Sequence, residues 1–168
     1  MSEQKQTLFR EPPKKVLQYK DAQHGTTCWA AGLVSWLSVT PRSPGKWLAE
    51  TQDDAIKNFA GYDFLVDKNG NLSGAVGLMW MTAAVGMVNQ AFRPANTLTG
   101  DFLYDILKYK SHIYFGYCDT ETDPPTPSHC LVIYGIANPL SENCTISFMD
   151  PWIGDYSIGV PLNRFKTC

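Results

Sequence analysis

Cys130-Leu131-Val132-Ile133-Tyr134-Gly135-Ile136 is an unbroken apolar run. Its length and its β-branched and aromatic content predict a strand buried on both faces. The segment before it, Asp119 to Ser128, holds three prolines and three acidic residues, which marks an exposed loop. After it, Cys144 to Met149 alternates apolar and polar residues as a half-buried strand does, and Asp155 to Val160 reads as one more strand. His112 to Tyr117, rich in β-branched and aromatic residues, is a strand on the other side of the loop.

The first two thirds of the chain reads differently. Cys28 to about Leu37 or Ser38 is an apolar helical segment, with Thr26 or Thr27 placed to cap it. Pro41 and Pro44 end it, and a second helix is expected from near Ser43, with Lys46 to Phe59 helical or broken helical. Tyr62 to Val66 is a short extended piece, and Asp67 to Asn71 is turn chemistry. Residues 73 to 88 form an apolar helix, and Asp101 to Tyr109 another, capped by Thr99. Helices first and strands later predict an α+β fold, with N-terminal helices packed on a C-terminal antiparallel sheet. Residues 1–20 read as a polar arm that Pro12-Pro13 keeps from being helical, and 21–168 as a single domain.

Composition narrows the function classes. The chain has 168 residues, 44% of them apolar, enough for one ordinary domain with a real core. Its formal net charge is -2 and it has no basic block, so nucleic acid is not an expected partner. The uncharged stretch Asn71 to Phe92 has an apolar centre too short for the roughly 20 residues of a membrane span, and a buried core helix is expected there. Met1 to Lys15 has no apolar h-region, so no secretory signal peptide is expected. The odd set of five cysteines without C-x-x-C spacing points to free thiols in a reducing, cytoplasmic setting rather than to zinc.

Chemistry concentrates at Cys28. The run Gln23-His24-Gly25-Thr26-Thr27-Cys28-Trp29 places a thiol where a polar loop enters a helix, and the positive end of the helix dipole favours the nucleophilic thiolate. Such a nucleophile needs a base, and the base needs an orienting group. His129 stands at the mouth of the buried strand, and Asp150 ends the next one, so the carboxylate can fix the tautomer and stabilise the imidazolium. His24 is too near Cys28 along the loop to act as its base, and His112 has no polar residue at the end of a matching neighbour. The Gln23 amide and the backbone N–H of Cys28 are suitable donors for the oxyanion of acyl transfer.

In this order, Gln23, Cys28-Trp29-Ala30, Ser128-His129-Cys130-Leu131-Val132-Ile133-Tyr134-Gly135 and Asp150-Pro151-Trp152 resemble the papain-like cysteine peptidases. Within that clan the chain is most similar to the compact bacterial branch. That branch holds the double-glycine peptidases that process bacteriocin leaders and the papain-like effector peptidases of bacterial pathogens. The resemblance spans residues 23 to about 160. It implies a papain-like fold, a Cys28–His129 ion pair, orientation of His129 by Asp150 and oxyanion binding by Gln23. It further implies that Trp152 shields the His–Asp hydrogen bond, with Trp29 following the nucleophile. Plant members set their Gln one residue further from the Cys and orient the His with Asn; Asp150 matches the bacterial branch.

The expected activity is therefore a cysteine endopeptidase, without a cofactor, acting on protein or peptide substrates. The branch further implies a preference for Gly-Gly or small residues, delivery into a target cell as an effector or toxin, and a cognate immunity or inhibitor protein. Two other readings stay open. A glutamine deamidase or transglutaminase-type enzyme also uses Cys, His and Asp, although the long Cys28–His129 separation and Gln23 are not part of that pattern. A non-catalytic papain-like binding module is the third, although such modules lose the Cys or His that this chain retains.

Overall fold

The computed structural model describes residues 5–16, 27–40, 48–62, 65–89, 97–119 and 126–165. It is a mixed α+β fold. Among these residues, four helices pack about a curled antiparallel sheet. The longest strand, β3 (Thr126–Ala137), contains the apolar run and is paired along both edges. One edge takes β2 (Ile113–Asp119) and then β1 (Leu8–Phe9); the other takes β4 (Thr145–Asp150), which pairs in turn with β5 (Asp155–Pro161). Register shifts between Ile133 and Gly135 and between Ile146 and Phe148 are bulges that bend and twist the strands, curling the sheet.

Both faces of β3 are covered, which is why its sequence is apolar without alternation. Cys130 and Val132 face one core, built from α1 (Cys28–Leu37), α2 (Gln52–Ala60) and α3 (Gly74–Ala84). Leu131, Ile133 and Ile136 face a second core with α4 (Gly100–Tyr109) and the C-terminal 3-10 turn Leu162–Phe165. Helix α1 is buried from Cys28 through Trp36, the behaviour expected of a helix that is apolar all round. The indole Nε1 of Trp29 donates to the Gly70 carbonyl (2.9 Å), and that of Trp36 to the His112 carbonyl (2.9 Å). Gly70 sits at φ +84, a conformation that presents this carbonyl at little steric cost in the turn 67–71.

Several expectations are corrected. The stretch expected to be helical or broken helical carries a helix from Gln52 to Ala60, and the expected start near Ser43 lies outside the described residues. The start at Gln52 is set by a capping box in which Thr51 Oγ1 accepts from Asp54 N and Asp54 Oδ2 accepts from Thr51 N; residues 48–50 are not helical, and 41–47 lie outside the described residues. The apolar helix ends at Ala84 and is not a buried core helix: Met81 faces inward, but Val76, Met79 and Trp80 are exposed. With no charged residue on the segment, and its one hydroxyl, Thr82, buried, its sequence carries no mark of which side meets water. Thr27 occupies the N-cap position of α1 but makes no side-chain capping bond, while Thr99 caps α4 as expected, accepting from Phe102 N (3.2 Å).

The polar arm is corrected as well, since residues 5–16 are laced into the domain. Lys5 pairs with Asp101 and Asp105 of α4 (2.6 Å each), β1 extends the sheet, and Arg10 bonds the Leu107 and Lys108 carbonyls at the end of α4. Lys5 and Arg10 of the arm thus bond to α4, while Gln6, Thr7, Glu11 and Lys14 remain exposed. Among the described residues, no helix is long and apolar enough to cross a membrane.

Close approach at Gly100 gives a test of this packing. A Cβ there would meet Cys144 Sγ and the Pro139 carbonyl oxygen at 2.5 Å each, whereas one at Gly61 meets nothing within 4 Å. Gly100→Ala is expected to cost about 1–3 kcal/mol through overpacking, lowering the thermal midpoint by several degrees, and Gly61→Ala to leave it nearly unchanged. Equal midpoints for the two variants in a calorimetric scan would contradict the packing of α4 against residues 139–144.

Candidate active site

Three elements meet at one place. Cys28 opens α1, so its sulfur lies at the helix terminus where the first N–H groups lack intrahelical partners and the dipole is positive. His129 lies in β3, and Asp150 is the last residue of β4. Because β3 and β4 are antiparallel neighbours with Val132 opposite Met149, His129 and Asp150 fall at the same end of the sheet. Nε2–H of His129 donates to Asp150 Oδ1 at 2.6 Å. This bond assigns Nε2 to the carboxylate and leaves Nδ1 as the nitrogen for the thiol.

Cys28 and His129 are both nearly buried, with 5% and 6% of their surface exposed. The sulfur of Cys28 is hydrogen-bonded by the Cys130 thiol. Burial opposes the anion, while the His129 ring and the Cys130 backbone N–H add to the stabilisation, and together these hold the Cys28 pKa down to about 5. Burial alone would disfavour a charged His129. The hydrogen bond to Asp150 and the hydrogen bond and charge of Cys28 outweigh it, raising its pKa to about 9. Between about pH 5 and about pH 9 the pair is thus thiolate and imidazolium.

The hairpin after β4 builds the rest of the site. Trp152 N donates to Asp150 Oδ1 (2.8 Å), and Gly154 N donates to the Asp150 carbonyl (2.9 Å). Gly154 has φ +64, which lets the chain turn this tightly into β5. The carboxylate is thereby held toward His129, and the Trp152 ring stands edge-on to the imidazole, 6.0 Å between centroids at 85°. Trp152 remains 59% exposed, so it forms a wall of the site rather than part of the core. Trp29 points the other way, buried against Phe59.

The structure thus brings Cys28, His129, Asp150 and Trp152 together and makes Trp29 an anchor of α1. Gln23 and His24 lie outside the described residues. His112 is not near this site in bonding terms: its Nε2–H donates to the Glu11 carbonyl (2.7 Å), and burial holds its pKa below the ordinary imidazole value, so it ties the N-terminal segment to β2. Sequence reasoning overlooked two neighbours of Cys28. Cys130 contacts Cys28, and the Tyr114 hydroxyl donates to the Trp29 carbonyl (2.9 Å). Cys130 adjoins His129 in sequence, which was a usable signal; Tyr114 had none, because only the β2–β3 register sets it opposite Val132 and under α1.

Comparison of the chain with protein-family models, with curated proteins and with solved structures finds no match. Any functional assignment therefore rests on the site itself. Its electrostatics are directly testable: Asp150→Asn is expected to move the His129 titration down from about 9, because a neutral amide no longer stabilises the imidazolium. The ring signals of His129 followed by NMR across pH report this, and an unchanged midpoint would show that Asp150 does not hold the charge.

Proposed function

We propose that this chain is a cysteine endopeptidase of papain-like type, acting on protein or peptide substrates through Cys28, His129 and Asp150. The observation that carries the reading is that Asp150 bonds one nitrogen of a buried imidazole whose charge is coupled to that of Cys28. A thiolate held ready at neutral pH beside an imidazolium suits acyl transfer, where the nucleophile must be charged and the leaving group must be protonated.

In the proposed reaction the Cys28 thiolate attacks a peptide carbonyl carbon, forming a C–S bond and an oxyanion. The backbone N–H of Cys28, at the helix terminus, and the Gln23 amide supply donors for that oxyanion. Collapse breaks the C–N bond, and the imidazolium of His129 gives its proton to the departing amine. Neutral His129 then takes a proton from water as that water attacks the thioester, releasing the carboxylic acid and restoring thiolate and imidazolium. Asp150 accepts from Nε2–H throughout and keeps the ring in place. A preference for small residues, delivery into a target cell and a neutralising immunity partner belong to this proposal on the resemblance to the compact bacterial branch alone.

Cell extract treated with the wild-type protein and with Cys28→Ala, compared by mass spectrometry, tests the reading. New protein termini in the wild-type sample, reduced on the order of 10⁴-fold or more in the variant, are expected. Deamidated glutamines without new termini would transfer the same triad to a deamidase, and neither change would leave a binding module. On a cleaved peptide, kcat/KM is expected to rise as pH climbs through about 5, where the thiolate forms, and to fall through about 9, where the imidazolium is lost. An acid limb near the ordinary thiol value of about 8.5 would contradict the pairing.

A further inference from the structure

Cys130 is fully buried, follows the catalytic base directly, and faces the helix that carries the nucleophile. A Cβ built on Gly32, one turn beyond Cys28 on α1, would stand 3.7 Å from the Cys130 Cβ and 3.1 Å from the Tyr114 ring. The helix therefore lies directly over Cys130 and Tyr114, and the Cys130 thiol and backbone N–H both reach the Cys28 sulfur. We propose that Cys130 is a positioning residue of the active site, its thiol proton donated to the Cys28 thiolate so that the nucleophile stays ionised in a buried setting. This rests on the reading of Cys28 as the nucleophile.

The groups around the sulfur leave this role to Cys130. Tyr114 is partly buried against the core, and burial holds its pKa well above the ordinary phenol value. Its one proton is used on the Trp29 carbonyl (2.9 Å) and is not available to Cys28. Asp150 is occupied by His129 and Trp152. The Cys130 thiol lies within reach of the Cys28 sulfur, and an ionised acceptor makes the stronger hydrogen bond, so the proton turns to Cys28 once that thiol ionises. A residue that merely filled space here would need neither a donor nor a polar neighbour.

The rate of iodoacetamide labelling at Cys28, read on its own peptide by mass spectrometry across pH, measures the thiolate without any substrate. Cys130→Ala and Cys130→Val, which lack a donor, are expected to raise the midpoint by about one pH unit, slowing labelling at pH 5 by about fivefold. Cys130→Ser, which keeps a donor, is expected to stay near the wild-type midpoint of about 5. Circular dichroism identifies the folded variants, and Val preserves the volume should Ala not fold. Unshifted midpoints in the folded donor-free variants, or a Ser variant shifted as far as they are, would overturn the role of Cys130. A wild-type midpoint near about 8.5 would instead overturn the reading of Cys28 as an activated nucleophile.

Discussion

Helix α1 can lie close on β3 because Gly32 presents no side chain to it. A Cβ at that position would press on Tyr114 at 3.1 Å and touch Cys130 at 3.7 Å. Every other part of the candidate site inherits this contact. One turn earlier on the same helix, Cys28 comes within reach of His129 and Cys130, and the Trp29 carbonyl comes within hydrogen-bond distance of the Tyr114 hydroxyl. Trp29 and Trp36 then secure the helix at both ends, to the turn at Gly70 and to the start of β2. Cys28 is thus held by a buried, doubly tethered helix rather than by a loop, which suits a site whose groups must keep hydrogen-bond distances.

The opposite wall of the site is made by strand pairing. β3 and β4 are neighbours, and their register alone brings His129 and Asp150 to the same end of the sheet. The tight turn through Gly154 returns the chain as β5 and sets Trp152 against the imidazole. Burial and charge then act in opposite directions on the same groups. Dehydration disfavours both ions, but each is the other's counter-ion, and Asp150 and Cys130 add a partner on each side. An isolated buried thiol would be neutral; Cys28 is held toward the ionised form by partners from two strands, β3 and β4.

Much of this was legible in the chain. Cys130 to Ile136 read as a buried strand because both its faces are apolar, and Thr99 marked the start of α4 because its hydroxyl can accept from the helix. His129 and Asp150 stood out because each adjoins a strand end, where side chains escape the core. The failures share a cause. The Asn71 to Phe92 stretch contains no charge to show which helix face meets solvent, so the exposure of Val76, Met79 and Trp80 was hidden. The N-terminal residues looked solvated because polarity is the same whether a lysine meets water or, as Lys5 does, two aspartates of α4.

The amino-acid sequence by itself determined most of the strands and helices, a cysteine at a helix start, and a histidine and a carboxylate in an order suited to thiol chemistry. These are local properties: periodicity, capping and residue type act over a few neighbours along the chain. Only the tertiary structure decided that Cys130 and Tyr114 border the nucleophile, that Trp29 anchors while Trp152 walls the site, and that His112 is structural. Those assignments depend on how closely a helix approaches a sheet and on which residues a strand register sets opposite each other. Both are fixed by packing between segments far apart in sequence, where local pattern carries no distance.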